Sequence, residues 1–247
     1  MTTRKNRNGD LLSRSSYGSV RSALKYLFKV SGFDMKKEFE QDMAQFSRGI
    51  KCQVAEERAK NGKSLDEGKR PMTFECYKLM CNLLFKSDSH DSCFAHLFLI
   101  LDWNLMARAD TCRNILIAHI EWRQDSLLIF FAKSKGNQTG ETSDTPWHIY
   151  SSPALCPVLA LARYLLSHPD IITKKDNKNL FPRLDQYNHF IKIFHKTVNK
   201  NSTAFLAVGV TKGMFGSHSC RKGAITLVTT GCTVSPPIAS VCLRAGW

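Results

Sequence analysis

The chain has 247 residues, 43% of them hydrophobic, and a formal net charge of +14 from 35 Lys and Arg against 21 Asp and Glu. That apolar content excludes a disordered chain, and the length suits one large domain or two modest ones, each with its own core. Sixteen basic and nine acidic residues fall in 1–70, so the excess is spread along the chain and is not a basic tail. Such a balance fits a polyanionic partner such as nucleic acid, and it also fits a soluble protein that is merely basic.

Nine cysteines, at 52, 76, 81, 93, 112, 156, 220, 232 and 242, include no CxxC pair. Several sit inside apolar helical patterns, so they are expected to be reduced, small and buried, with no metal bound. Met1–Asp10 is polar and basic and reads as no secretory leader. Arg4, Lys5 and Arg7 suit nuclear entry. The longest apolar run, Phe94–Met106, is interrupted by His96, Asp102 and Asn104 and is too short to span a bilayer.

Residues 11–31 read as an amphipathic helix through Leu12, Val20, Leu24, Leu27 and Phe28, with Ser13 as its cap and Gly32 as its stop. Arg14, Arg21 and Lys25, spaced by seven and four, share one face that could lie along a phosphate backbone and that, taken alone, reads as a solvated face. A second helix runs through 35–60 on Phe39, Met43, Phe46, Ile50 and Val54. The polar stretch from Asn61-Gly62 to Gly68-Lys69-Arg70-Pro71 then predicts a linker at 63–72 between a helical domain over 1–62 and a larger domain over 73–247.

The larger domain opens with Thr73 as a cap and a helix over 74–86, a buried helix over Asp91–Met106 and a continuation over Thr111–His119. Ile120-Glu121-Trp122, Leu127–Phe131 and Trp147–Tyr150 are short β-rich runs, with a polar turn at Gly136–Asp144. Helices resume at 154–167, 187–200, 217–230 and 236–244. The class is α+β with helices dominant and one small antiparallel sheet.

Three basic positions stand out against this frame: Arg108 at a helix junction, Lys133 and Lys135 on the hairpin, and His218-x-x-Arg221 at a helix start, where i, i+3 spacing aims both side chains the same way. Each alone has an ordinary explanation, as an ion-pair partner, a solvated lysine or a chance motif. Their order and spacing together carry the information.

That order resembles the active site of the tyrosine recombinase, or phage-integrase-like, family, most closely the crypton-type recombinases of eukaryotic mobile elements. WNLMAR (103–108), HIEW (119–122), FFAKSKGNQTGE (130–141), HIYSSP (148–153), GSHSCRKGA (216–224) and VCLRAGW (241–247) carry the resemblance, which extends from about Leu11 to Trp247.

The resemblance implies a helical core-binding domain followed by a helical catalytic domain, and site-specific recombination or integration of duplex DNA through a phosphotyrosine. It implies self-association on DNA, and neither a cofactor nor a metal, membrane or small-molecule substrate. Arg108 and Arg221 match the two catalytic arginines that hold one phosphate. Lys135 matches the hairpin lysine that protonates the leaving 5′ oxygen, with Lys133 the competing position. His218 matches the histidine of the motif, and Trp247 falls where the family has His or Trp. Lys222, beside Arg221, is assigned to DNA with Lys133, Arg14, Arg21 and Lys25.

The family's nucleophilic tyrosine follows the His/Trp position, whereas the last tyrosine here is Tyr187, upstream of His218. The expectation is a chain that stops before its nucleophile and is inactive by itself. A domesticated, non-catalytic DNA- or protein-binding module of the same fold, and a basic helical scaffold, stay open as alternatives.

Overall fold

The computed structural model describes residues 11–62, 69–123, 126–130, 145–147, 152–173, 178–182, 184–211, 213–216, 218–231 and 236–245. The chain forms two compact units, Met1–Gly68 and Lys69–Trp247.

The first unit is a helical hairpin of α1 (Arg14–Val30) and α2 (Lys37–Lys60). The Ser16 amide donates to the Ser13 side chain at 3.2 Å, satisfying one of the amides that every helix start leaves open. Gly32, at φ 71°, supplies the left-handed residue that stops α1. Phe28 packs on Phe39 at 5.9 Å between centroids, and Lys25 pairs with Glu40. None of the side chains of α1 is fully buried, and α2 buries only Ile50 and Val54.

The second unit is built around α4 (His90–Asn104), which is apolar on all sides and buried from Ser92 to Trp103. Such a helix needs neighbours all round. They are α3 (Phe74–Phe85), α6 (Pro157–Ser167), α8 (Gln186–Lys200) and α10 (Ser219–Thr230). Phe94, Phe98, Tyr164, Phe181 and Phe190 form a continuous aromatic core in tilted and edge-on pairs. The remaining helices are α5 (Ala109–Arg113), α7 (Asp170–Thr173), α9 (Ser202–Ala207) and α11 (Ile238–Ala245).

Strands β1 (Ile120–Arg123), β2 (Ser126–Ile129) and β3 (Thr145–Trp147) form one antiparallel sheet in that order, with Trp122 opposite Leu127 and Leu127 opposite Trp147. The central strand buries Leu127, Leu128 and Ile129. The domain is therefore mainly helical with a small antiparallel sheet, as the sequence predicts.

Two local expectations differ. Thr111–His119 is not one helix. After α5 the Leu180 amide donates to the Ile115 carbonyl and the Ile117 amide to that of Lys178, so a bridge of Leu116 to Asn179 replaces helical bonds before a short 3-10 turn at Ile117–His119. The helix expected from 154 starts at Pro157 instead, because proline is suited to the first helical position and a 3-10 turn occupies Pro153–Leu155.

Six cysteines, Cys76, Cys81, Cys93, Cys112, Cys156 and Cys220, are buried in the second unit as small core side chains. Among the described residues, no helix is long and apolar enough to cross a membrane.

Candidate functional site

Arg108 and Arg221 are 113 positions apart and are delivered to one place by two local devices. The first is the end of α4. Leu105 closes the helix, and Met106 takes a φ of 49°, the one positive φ at a non-glycine position among the described residues. A left-handed methionine costs roughly 1 kcal/mol and is held by its burial at 6% exposure. The reversal places Arg108 in extended conformation immediately before α5.

The second device is the start of α10. The Gly216 amide donates to the Ser219 hydroxyl at 3.0 Å, and the Ser219 amide donates back to the Gly216 carbonyl at 3.0 Å. His218 then occupies the N-cap position, exposed and with no side-chain capping bond, and Arg221 follows in the first turn, buried to 6% exposure. Open amides and the helix dipole make such a start favourable to anions.

The segment Lys69–Met72 straps across this helix start. The Met72 amide donates to the Ser219 carbonyl at 2.9 Å and the Arg70 amide to the Met214 carbonyl at 3.2 Å. Lys69 Nζ donates to the Gly213 carbonyl at 2.5 Å, and Lys222 Nζ to the Lys69 carbonyl at 3.1 Å. Gly223 permits the contact, since a Cβ there would lie 2.0 Å from the Met72 carbonyl oxygen.

Between strap, α5 start and α10 lies an open cleft of about 410 Å³ lined by Pro71, Arg108, His218, Arg221, Lys222, Ile225 and Thr226. Its polar wall is basic, and among the described residues no carboxylate lines it. Burial, and then the nearby charge of Arg108, lower the pKa of Arg221. An arginine nonetheless stays charged at neutral pH, so two like charges face one space. An anion that accepts from both relieves that repulsion, and a tetrahedral phosphate offers the oxygens to do so.

Of the sequence-predicted site residues, Arg108, His218, Arg221 and Lys222 meet in this cleft. Lys133, Lys135 and Trp247 lie outside the described residues. Arg14, Arg21 and Lys25 belong to α1 in the first unit, where Arg21 is exposed and Lys25 pairs with Glu40.

Sequence reading missed Pro71, Ile225 and Thr226, which shape the cleft, and the strap that carries Pro71. The glycine inside α10, at Gly223, is the signal that could have found the strap, because a helix-interior glycine often marks a close approach. Among the described residues, no group of three or more His, Cys, Asp or Glu side chains is arranged to hold a metal ion.

No protein-family model matches the chain, and no curated protein matches it in sequence. Solved structures do. The chain is similar to the XerH site-specific recombinase bound to its difH substrate in a pre-cleavage complex, with a TM-score of 0.52 and 13% identity over 90% of this chain and 62% of that one. It is also similar to FLP recombinase in a Holliday junction complex, with a TM-score of 0.48 and 11% identity over 93% of this chain and 52% of that one. The chain thus spans about 62% of the length of XerH. At 13% identity this is a likeness of fold, and the mainly helical architecture with a small antiparallel sheet is the tyrosine recombinase fold.

Proposed function

We propose that the second unit binds a phosphodiester of duplex DNA in the Arg108–Arg221 cleft, and that the intact protein is a tyrosine recombinase of the mobile-element type acting in the nucleus. The observation that carries this reading is the convergence of Arg108, Arg221, Lys222 and His218, from two distant segments, on a cleft with no carboxylate among its described lining residues. The fold is the one in which XerH is seen with its DNA substrate.

In this reading the two guanidinium forks hold the non-bridging oxygens of one phosphate and stabilise the added charge of its five-coordinate transition state. His218 assists the proton at the nucleophile. A tyrosine oxygen bonds to phosphorus, the bond to the 5′ oxygen breaks, and Lys135, or Lys133 in its place, gives that oxygen its proton. Trp247 donates its indole N–H to the phosphate, and copies of the protein assemble on DNA.

A second reading, a non-catalytic DNA-binding module, draws on one observation: among the described residues lining the cleft, none is a tyrosine.

The test is duplex affinity as a function of salt for the 247-residue chain, alone and with Arg108→Gln or Arg221→Gln. Each variant should bind about tenfold more weakly or worse, since a hydrogen bond to a charged group contributes about 1.5–3 kcal/mol. Each should also flatten the salt slope by about one counterion. Unchanged affinity and slope in both variants would remove the cleft from the DNA interface.

A further inference from the structure

The cleft changes character along α10. The start of the helix contributes His218, Arg221 and Lys222, and the next turn contributes Ile225 and Thr226. Ile225 follows Arg221 by four residues and Lys222 by three, so it lies on the same face, one turn further on. A step of four residues is a rise of about 6 Å. Ile225 is half-buried and packs on the core of the second unit, which fixes its place in the wall.

The strap adds Pro71 to the same cleft. A proline has no N–H to offer a ligand, so what it presents is an apolar ring. Both neighbours of that ring are tied down. The Arg70 amide donates to the Met214 carbonyl and the Met72 amide to the Ser219 carbonyl. The apolar part of the cleft is therefore in place before a ligand arrives, and little ordering has to accompany binding.

A bare phosphate uses only the cationic end. It gains nothing from Ile225 or Pro71, since apolar surface takes water from an anion and returns no hydrogen bond. At about 410 Å³ the cleft is also of a size that takes a whole small molecule. A ligand that fits both ends joins an anion to CH groups within one short step.

We propose that Pro71 and Ile225 seat the sugar esterified to the phosphate on Arg108 and Arg221, so that the cleft takes a sugar–phosphate unit of the backbone and not an isolated anion. This rests on the phosphate reading above. The CH groups of the deoxyribose ring pack on Ile225 and Pro71. Thr226, exposed and next in sequence, offers a hydroxyl to the ring oxygen. Every nucleotide of DNA carries the same sugar, so the seat adds affinity without sequence preference.

The experiment titrates the 247-residue chain with two phosphate monoesters, followed by nuclear magnetic resonance. One is methyl phosphate. The other is tetrahydrofurfuryl phosphate, which carries the five-membered ether ring of the sugar without hydroxyls or base. The two have the same charge and differ in the ring. The unaltered chain should bind the ring ester at least about threefold more tightly. A nuclear Overhauser effect should join the Ile225 methyl protons to the ring protons. Ile225→Ala should lose about half of that preference or more. Arg108→Gln should weaken both esters.

If Ile225→Ala fails to fold, the Overhauser contact in the unaltered chain decides the matter. Equal affinity for the two esters, a preference that Ile225→Ala keeps in full, or a bound ring with no contact to Ile225 overturns the seat, while a loss of both esters in Arg108→Gln keeps the phosphate reading. An Arg108→Gln protein that binds both esters as tightly as its parent overturns both.

Discussion

Gly223→Ala tests the packing that builds the cleft. A Cβ at this position would stand 2.0 Å from the Met72 carbonyl oxygen and 2.9 Å from the Trp103 ring. Ordinary contact begins near 3.4 Å. Neither neighbour yields easily. Trp103 is buried and stacked on Tyr77 at 4.3 Å, and Met72 is 3% exposed with its amide bonded to Ser219. The strap must retreat by more than about an ångström, adding an overpacking cost of about 1–3 kcal/mol to about 1 kcal/mol for the strained hydrogen bond.

A destabilisation of about 3 kcal/mol corresponds to a melting temperature about 6–12 °C lower for a chain of this size. Pro71 moves with the strap, so duplex affinity should fall as well under conditions where the variant is folded. The assays are thermal unfolding by circular dichroism and duplex binding by fluorescence anisotropy. Gly18→Ala, at a helix-interior glycine with open space around it, is the control and should stabilise by about 0.5–1 kcal/mol. A Gly223→Ala protein that melts within a degree of the parent and binds DNA equally well would refute the reasoning.

Two further outcomes are expected. His96 is fully buried, its Nε2 2.8 Å from the Ala154 carbonyl, and burial holds its pKa down at about 4. Between pH 6.5 and 4 the unfolded chain takes up a proton that the folded one refuses, so this contribution is complete above 6.5 and fades as pH falls, by about 3 kcal/mol in all. Denaturant titrations of His96→Gln should show that slope flattened, and an unchanged slope would assign it elsewhere. The 247-residue chain should form no covalent adduct with a nicked suicide duplex in denaturing gels, since among the described residues that line the cleft none is a tyrosine; an adduct would reverse that expectation.

The elements most legible in sequence were those whose signal is local. The Ser13 and Thr73 caps, the Gly32 stop and the short β-rich runs each depend on a few neighbouring residues, and the structure has them within a few positions. His218 and Arg221 were legible for the same reason, since i, i+3 spacing is a local fact. Arg108 could be named, but not how it reaches the cleft. The turn at Met106 uses a residue type that does not advertise a left-handed backbone. The break of Thr111–His119 depends on pairing with residues near 179, and the strap on hydrogen bonds between segments more than 140 positions apart. Asp102 looked only like an interruption of an apolar run. Its burial comes from packing of α4 against its neighbouring helices, α10 among them, which no window of sequence contains.

The central claim is that the two arginines together hold a DNA phosphate, and the guanidinium resonances of Arg108 and Arg221 report on it directly. Duplex DNA titrated into the 247-residue chain should shift the side-chain Nε–H signals of both residues in step, with one midpoint that matches the binding isotherm. Saturable DNA binding that leaves both signals where they stood would contradict the account.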